Sequence, residues 1–345
     1  MSRSTFRLAM LSFLFALLAA GCGEAPAATV PATAPVPATA TVVEPTATPE
    51  EEQTAAPPVE GPARNPAQDT VLSSFITADF SGSGTCVLCH EGLRDEAGTN
   101  VSLTTAWRST MMANAAKDPV WQAKVSSEVA RFPMLQAVIE KKCVSCHMPM
   151  ARTQAEVEGQ TVAAQGDGFF DPAHPLHEAG IEGVSCTLCH QIGDAGLGTM
   201  ESFSGGYGVD TSTEPPFRQA FGPYKDPFGR PMQMHTGFEP VYGAQTEAAE
   251  LCATCHNLYT PYVDAQGNVL GEFPEQTPYT EWENSSFGGA VPCQGCHMPQ
   301  ASGGVVISLM PGRLAPRQPF FQHWFVGGNA LMLRILAGWG GDLEV

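Results

Sequence analysis

The sequence predicts a mainly α fold with long irregular loops, and three observations predict it. The pentapeptide Cys-x-x-Cys-His occurs five times: Cys86, Cys89 and His90; Cys143, Cys146 and His147; Cys186, Cys189 and His190; Cys252, Cys255 and His256; Cys293, Cys296 and His297. Apolar residues recur at helical spacing in few places, chiefly between Asp118 and Lys142. The run from Gly205 to Phe238 is rich in Gly and Pro and reads as loop.

The five motifs take ten of the eleven cysteines. This pattern is the attachment site of c-type haem: each sulfur adds to one vinyl group of the same porphyrin, and the adjacent imidazole reaches the iron as proximal ligand. Zinc ribbons and thioredoxin-like centres also use paired cysteines, but neither requires histidine next. With 9 His in 345 residues, chance places one after all five pairs with a probability on the order of 10⁻⁸, given the motif definition. Tetrahedral zinc would also consume the pairs two at a time and strand one. Five covalently bound haem c groups are therefore expected. They form most of the core, because each supplies a large flat apolar body where Leu, Ile and Val would otherwise be needed.

The chain divides into three parts. Residues 1–21 read as a signal peptide: Arg3 and Arg7 precede an apolar run from Leu8 to Ala20, and Ala19-Ala20-Gly21-Cys22 matches a bacterial lipobox. Cys22 is the expected lipidation site, the alternative being ordinary cleavage with Cys22 incidental; Gly23 rather than Asp follows it. Residues 22–70, rich in Ala, Pro and Thr, carry too little apolar surface to fold and read as a tether. At roughly 3 Å per residue such a tether spans on the order of 100 Å. Residues 71–345 form the pentahaem cytochrome c domain, with an internal repeat expected over 86–150 and 252–300. The last apolar run, Ala330 to Leu336, leaves room for a C-terminal continuation with further ligands.

Localisation and charge follow. The protein is expected to be exported, periplasmic or at the cell surface, and membrane-anchored through Cys22. The stretch from Phe320 to Leu336 is interrupted by Gln322, His323, Asn329 and Arg334, so it reads as buried in protein rather than spanning lipid. The net charge is -18, which argues against nucleic acid and for redox partner proteins with basic docking surfaces.

Two helices are readable. Asp118 caps the first, Pro119 suits its first turn, and Val120, Trp121, Val125 and Val129 form an apolar stripe ending at Pro133. A second is expected from Met134 to Lys142, with Leu135, Val138 and Ile139 inward and Cys143 at its basic end. The repeat has a fixed order. A motif is followed by a tryptophan segment, Trp107 to Met112 or Trp282 to Phe287, and then by a motif ending in Met-Pro, at Met148 and Met298. Four histidines lie outside the motifs: His174, His177, His235 and His323. They are the candidate distal ligands, five irons competing for four imidazoles. Met232 and Met234 precede His235, and a methionine there is an alternative ligand.

With these motifs and tryptophan segments, the stretch from Cys86 through His323 resembles the multihaem c-type cytochromes related to the tetrahaem cytochrome of ammonia oxidisers and to hydroxylamine oxidoreductase. The resemblance implies closely stacked parallel and perpendicular haem pairs between which electrons hop. It also implies, in a segment like Tyr-x-x-Trp-x-x-Ser-x-His-Ala, a distal histidine one helix away from its haem. There this sequence has Met112 and Phe287 instead of histidine, which makes Met112 a further candidate ligand. The expected function is electron carriage by haem-to-haem transfer in a respiratory or extracellular chain. The alternative is a catalytic multihaem oxidoreductase acting on a small nitrogen or sulfur compound at an open haem. No Cys-x-x-Cys-Lys motif is present, and five motifs are fewer than the eight of hydroxylamine oxidoreductase. A third alternative is a subunit of a respiratory complex or haem filament.

Overall fold

A computed structural model describes residues 72–338. The expected signal peptide, Cys22 and the tether lie outside the described residues. The elements are short: α1 (Gly84–His90), α2 (Leu103–Arg108), α3 (Pro119–Arg131), α4 (Gln136–His147), α5 (Pro149–Val157), α6 (His177–Ile181) and α7 (Cys186–Cys189) come first. They are followed by β1 (Arg218–Gly222), α8 (Arg230–Thr236), β2 (Phe238–Tyr242), α9 (Ala249–His256), β3 (Leu258–Val263), β4 (Val269–Gln276), α10 (Pro278–Glu283), α11 (Cys293–His297) and α12 (Ala330–Gly338).

Helix α3 forms where its cap and stripe place it. The Asp118 side chain accepts hydrogen bonds from the backbone N–H groups of Val120 and Trp121, and Pro119 occupies the first turn. Trp121 and Val125 are buried, but Val120 points to solvent, since one turn buries only one face. The next helix differs from expectation. A short 3₁₀ turn, Pro133–Leu135, leads into α4, which continues through the second motif to His147. Its buried residues are Glu140, Val144 and Ser145, whereas Val138 is exposed. At 3.6 residues per turn, Leu135 and Ile139 share the face of Cys143 and Cys146.

The expected loop from Gly205 to Phe238 holds β1 and α8. Strands β1 and β2 pair in parallel, Arg218 opposite Phe238, with α8 as the crossover. Gly237 ends α8 in the left-handed region that favours glycine. Strands β3 and β4 form an antiparallel hairpin with Leu258 opposite Gln276, closed at Asp264, whose carboxylate accepts from the N–H groups of Gln266 and Asn268.

Three apolar clusters hold these pieces. The largest gathers Phe80, Trp121, Val125, Val144, Met148, Met150, Phe169 and Leu188. A second joins Leu93 and Val101 to Val305 and Phe320, and a third joins Phe203 to Ala249, Ala253 and Tyr279. Buried polar groups link segments far apart in sequence. Arg218 on β1 pairs with Asp79 at 3.1 Å, both side chains nearly inaccessible, and its guanidinium also donates to Ala78 O. Gln154 on α5 accepts from the Thr77 hydroxyl and the Asp79 N–H.

Glu182 is the most consequential of these links. It is 6% exposed; one carboxylate oxygen accepts from the Ser83 N–H at 2.6 Å and from the Ser185 hydroxyl at 2.9 Å. Ser83 precedes α1 and Ser185 precedes α7, so one carboxylate joins the first and third motifs. Next to it, Gly183 has φ +71°, and a Cβ there would meet Met112 O at 2.7 Å. Burial raises the Glu182 carboxyl above its ordinary value of 4.5. Glu182→Ala, which strands two buried donors, is expected to cost about 1–3 kcal/mol, with Glu182→Gln closer to wild type. A raised carboxyl pKa favours the fold at low pH and loses that contribution as pH rises above the ordinary value. Denaturant unfolding from pH 4.5 upward should therefore show the Gln variant gaining on wild type.

Candidate functional site

All five motifs fold on helical turns. α1, α4, α9 and α11 each end on the motif histidine, and His190 caps α7. On a helix the two cysteines, three apart, stand on one face, and the histidine follows at the carboxyl end. The ten described thiols are free of disulfides. Burial pushes the Cys143 thiol up to about 11 and Cys189 up to about 12, so both are protonated thiols at neutral pH.

Four of the five motif imidazoles are held in one way. Nδ1 of His90 meets Ile307 O at 2.7 Å, His147 meets Ala115 O at 2.9 Å, His190 meets Phe221 O at 2.6 Å and His297 meets Val326 O at 2.6 Å. A carbonyl can only accept, so the proton of each neutral ring sits on Nδ1 and the lone pair on Nε2. Two of these contacts are reciprocated: the Phe221 N–H donates to His190 O at 2.6 Å and the Val326 N–H to His297 O at 3.0 Å. Burial lowers the pKa of His90, His147, His190 and His256, which keeps those imidazoles neutral. The His147 ring also lies flat against Trp121, centroids 4.3 Å apart and planes 4° apart.

The motifs form one connected array. The thiols of Cys86 and Cys186, of Cys146 and Cys255, and of Cys252 and Cys293 lie close enough to shift one another's titration. Cys189 lies close enough to Cys252 and Cys255 to interact electrostatically. Two tryptophans brace the array alike. The Trp107 indole N–H donates to Val184 O at 2.8 Å and that of Trp282 to Val291 O at 2.7 Å; each carbonyl lies two residues before a motif's first cysteine. Two units therefore correspond in space: the first and third motifs with α2, and the fourth and fifth with α10. In sequence Trp107 precedes the second motif, but its hydrogen bond reaches the segment before the third.

The candidate distal ligands differ in placement. His177 is buried, with Nδ1 donating to Phe169 O at 2.8 Å, and it lines a cleft of about 780 Å³ with Lys117, Gln122, Phe170 and Ile181. His174, half-buried, accepts the Leu176 N–H on Nδ1, so in the neutral ring the proton sits on Nε2. His235 is exposed on α8. His323 is half-buried; its Nδ1 lies 3.2 Å from Phe321 O and its ring centre 6.2 Å from that of His190. Burial, the largest cause, holds its pKa down at about 3. Met112 is half-buried, and its carbonyl accepts the Val184 N–H, while Phe287 is exposed. Glu182 and the carbonyls of Ala115, Phe221, Ile307 and Val326 were not legible as site residues. A backbone acceptor leaves no mark in side-chain identity.

Comparison with protein-family models, with curated proteins and with solved structures finds no match. The residues present fit covalent haem c on their own chemistry, with free paired thiols on one helix face and imidazoles whose Nε2 is left for a metal. Trp107→Phe removes the donor to Val184 O and is expected to cost about 1–3 kcal/mol. Trp282→Phe should cost a similar amount, and thermal unfolding of the two variants checks the correspondence.

Proposed function

We propose that the protein is an exported, lipid-anchored pentahaem c-type cytochrome that carries electrons within a respiratory or extracellular electron-transfer chain. The observation that carries this reading is the Nδ1 hydrogen bond to a backbone carbonyl in four of the five motifs. Metal-bound histidines characteristically donate their second ring N–H in this way, which fixes the tautomer and ring direction. Bound at Cys86 and Cys89, Cys143 and Cys146, Cys186 and Cys189, Cys252 and Cys255, and Cys293 and Cys296, five haems supply one-electron iron chemistry at neighbouring centres.

The rest is the work of the chain. His90, His147, His190, His256 and His297 are positioned as proximal ligands, and backbone carbonyls aim four of them. Trp121, part of the largest apolar cluster, lies flat on the His147 ring and shields it from water. Leu88 within the first motif is 59% exposed and Phe287 before the fifth is 58% exposed. These large apolar side chains beside attachment sites offer the surface a porphyrin face would cover. The acidic balance favours partners with basic docking surfaces. Among the described residues no helix is long and apolar enough to cross a membrane, and membrane attachment is assigned to Cys22.

A second reading, catalysis on a small nitrogen or sulfur compound, draws on the same ligand inventory. His235 is exposed and His174 has its Nδ1 engaged as an acceptor, which leaves room for a five-coordinate iron. Electron paramagnetic resonance separates the two. A stoichiometric high-spin signal that shifts with nitrite or hydroxylamine supports catalysis, and its absence supports carriage.

Mass spectrometry of denatured, acid-acetone-extracted protein, expressed with a competent maturation system, is expected to retain five haems. Four or fewer would overturn the count. Cys22→Ser is expected to move the protein from the membrane to the soluble fraction with its haem spectrum unchanged; retention in membranes would place the anchor elsewhere.

A further inference from the structure

The loop that carries His323 belongs by its hydrogen bonds to the fifth motif. The Gln322 N–H donates to Pro299 O at 2.9 Å, the Ala301 N–H to Phe320 O at 2.9 Å and the Val326 N–H to His297 O at 3.0 Å. Phe320 is buried against Leu93, Val101 and Val305, which anchors the start of the loop. Its end is bent at Phe325, which has φ +41°, a left-handed conformation unusual for a bulky side chain. Between these fixed points the His323 ring leaves its own motif and faces the imidazole of the third, His190.

The separation of these two rings is informative. Their centres are 6.2 Å apart and their planes 21° apart. A contact stack in the same protein, Trp121 on His147, has its centres at 4.3 Å, so the histidine pair leaves a wider gap. An imidazole nitrogen sits about 2 Å from a metal it ligates. Two imidazoles sharing one metal in line therefore hold their ring centres about 6 Å apart, once the distance from nitrogen to ring centre is included. Both Nδ1 atoms are turned to backbone carbonyls, Phe221 O for His190 and Phe321 O for His323, which leaves both Nε2 atoms outside those bonds. The same region contains His90, close enough to His323 and His190 to interact with both. Among the described residues, the imidazole pair at the separation of a shared metal is His190 with His323.

We infer that His323 is the distal axial ligand of the haem attached at Cys186 and Cys189, opposite His190. This rests on the reading of the motifs as haem sites. A residue of the fifth-motif loop then sets the ligand field of the third centre, and the near-parallel planes define an axial pair of low rotation.

The test uses the purified, fully matured protein. Pyridine haemochrome analysis comes first, because fewer than five haems in wild type overturns the underlying reading, independently of the pairing. In frozen, oxidised protein the His323→Ala variant is expected to convert one iron in five from low spin to high spin. Added imidazole should reverse the change. The low-spin signal that disappears should be the rhombic type given by near-parallel imidazole planes, rather than the large-anisotropy type given by crossed planes. His323→Met, which keeps a ligand, should instead remain low spin and gain the methionine-to-ferric charge-transfer band. A His323→Ala protein with five haems and an unchanged spin count overturns the assignment. In a variant lacking the third centre (Cys186→Ala, Cys189→Ala), adding His323→Ala should produce no new high-spin iron; a new signal there would give His323 to another haem.

Discussion

The hydrogen bond from a motif imidazole to a backbone carbonyl is the constraint on which the rest of this structure depends. A Cys-x-x-Cys-His turn fixes where a histidine begins but leaves its ring free to rotate and to carry its proton on either nitrogen. The carbonyls of Ile307, Ala115, Phe221 and Val326 settle both for four rings. Each acceptor comes from a segment remote from its motif. The irregular chain between motifs is therefore a set of acceptors that must arrive in register, and the small elements have a purpose in this. Strand β1 presents the Phe221 carbonyl to the His190 ring and donates the Phe221 N–H to His190 O, while pairing with β2 holds the strand in place.

Register of that kind demands rigid cross-links, and the protein uses buried polar groups more than aliphatic bulk. Glu182 joins the turn before α1 to the turn before α7, and Arg218 with Asp79 joins β1 to the segment ahead of the first motif. A buried ion pair is a poor source of net stability, because desolvation offsets most of its attraction, but breaking one side of it is costly. Such pairs penalise misregistered arrangements more than they reward the native one. That suits a chain whose apolar clusters are built largely from alanine and scattered single large residues.

Local features of this arrangement were legible in the sequence. Asp118 and Pro119 announced α3 because capping is a contest between neighbouring atoms, settled within four residues. The five motifs were visible for the same reason, although nothing in their spacing marked that each would fold on a helical turn. What could not be read was which distant segment meets which. Val138 looked inward by its apolar character, yet α4 buries Glu140 and Val144, and Glu140 is satisfied by the Ala164 N–H from a loop 24 residues on. Trp107 precedes the second motif in sequence but braces the third. The Gly- and Pro-rich run reads as loop because β1 draws its stability from β2, twenty residues downstream, and its own composition carries no trace of that partner.

The order of contacts among the motifs follows from the same long-range pairing. The first motif meets the third, the third lies beside the fourth, and the fourth touches both the second and the fifth. The fourth motif is thus a junction, and a route from the first motif to the second or fifth through these contacts passes the third and then the fourth. In the proposed reading, the potential of the third centre weighs on every such route. That centre has its proximal ring clamped by β1 and its opposite side faced by His323, delivered by a loop fastened to the fifth motif. In that reading, the exposed end of the array, where Cys296 and His297 reach the surface, is tied to the middle of it through the backbone of residues 320–326. Coupling of this sort needs no hinge or domain movement. It needs only that one imidazole be held by the segment that senses the surface, and the hydrogen bonds of residues 320–326 hold it so.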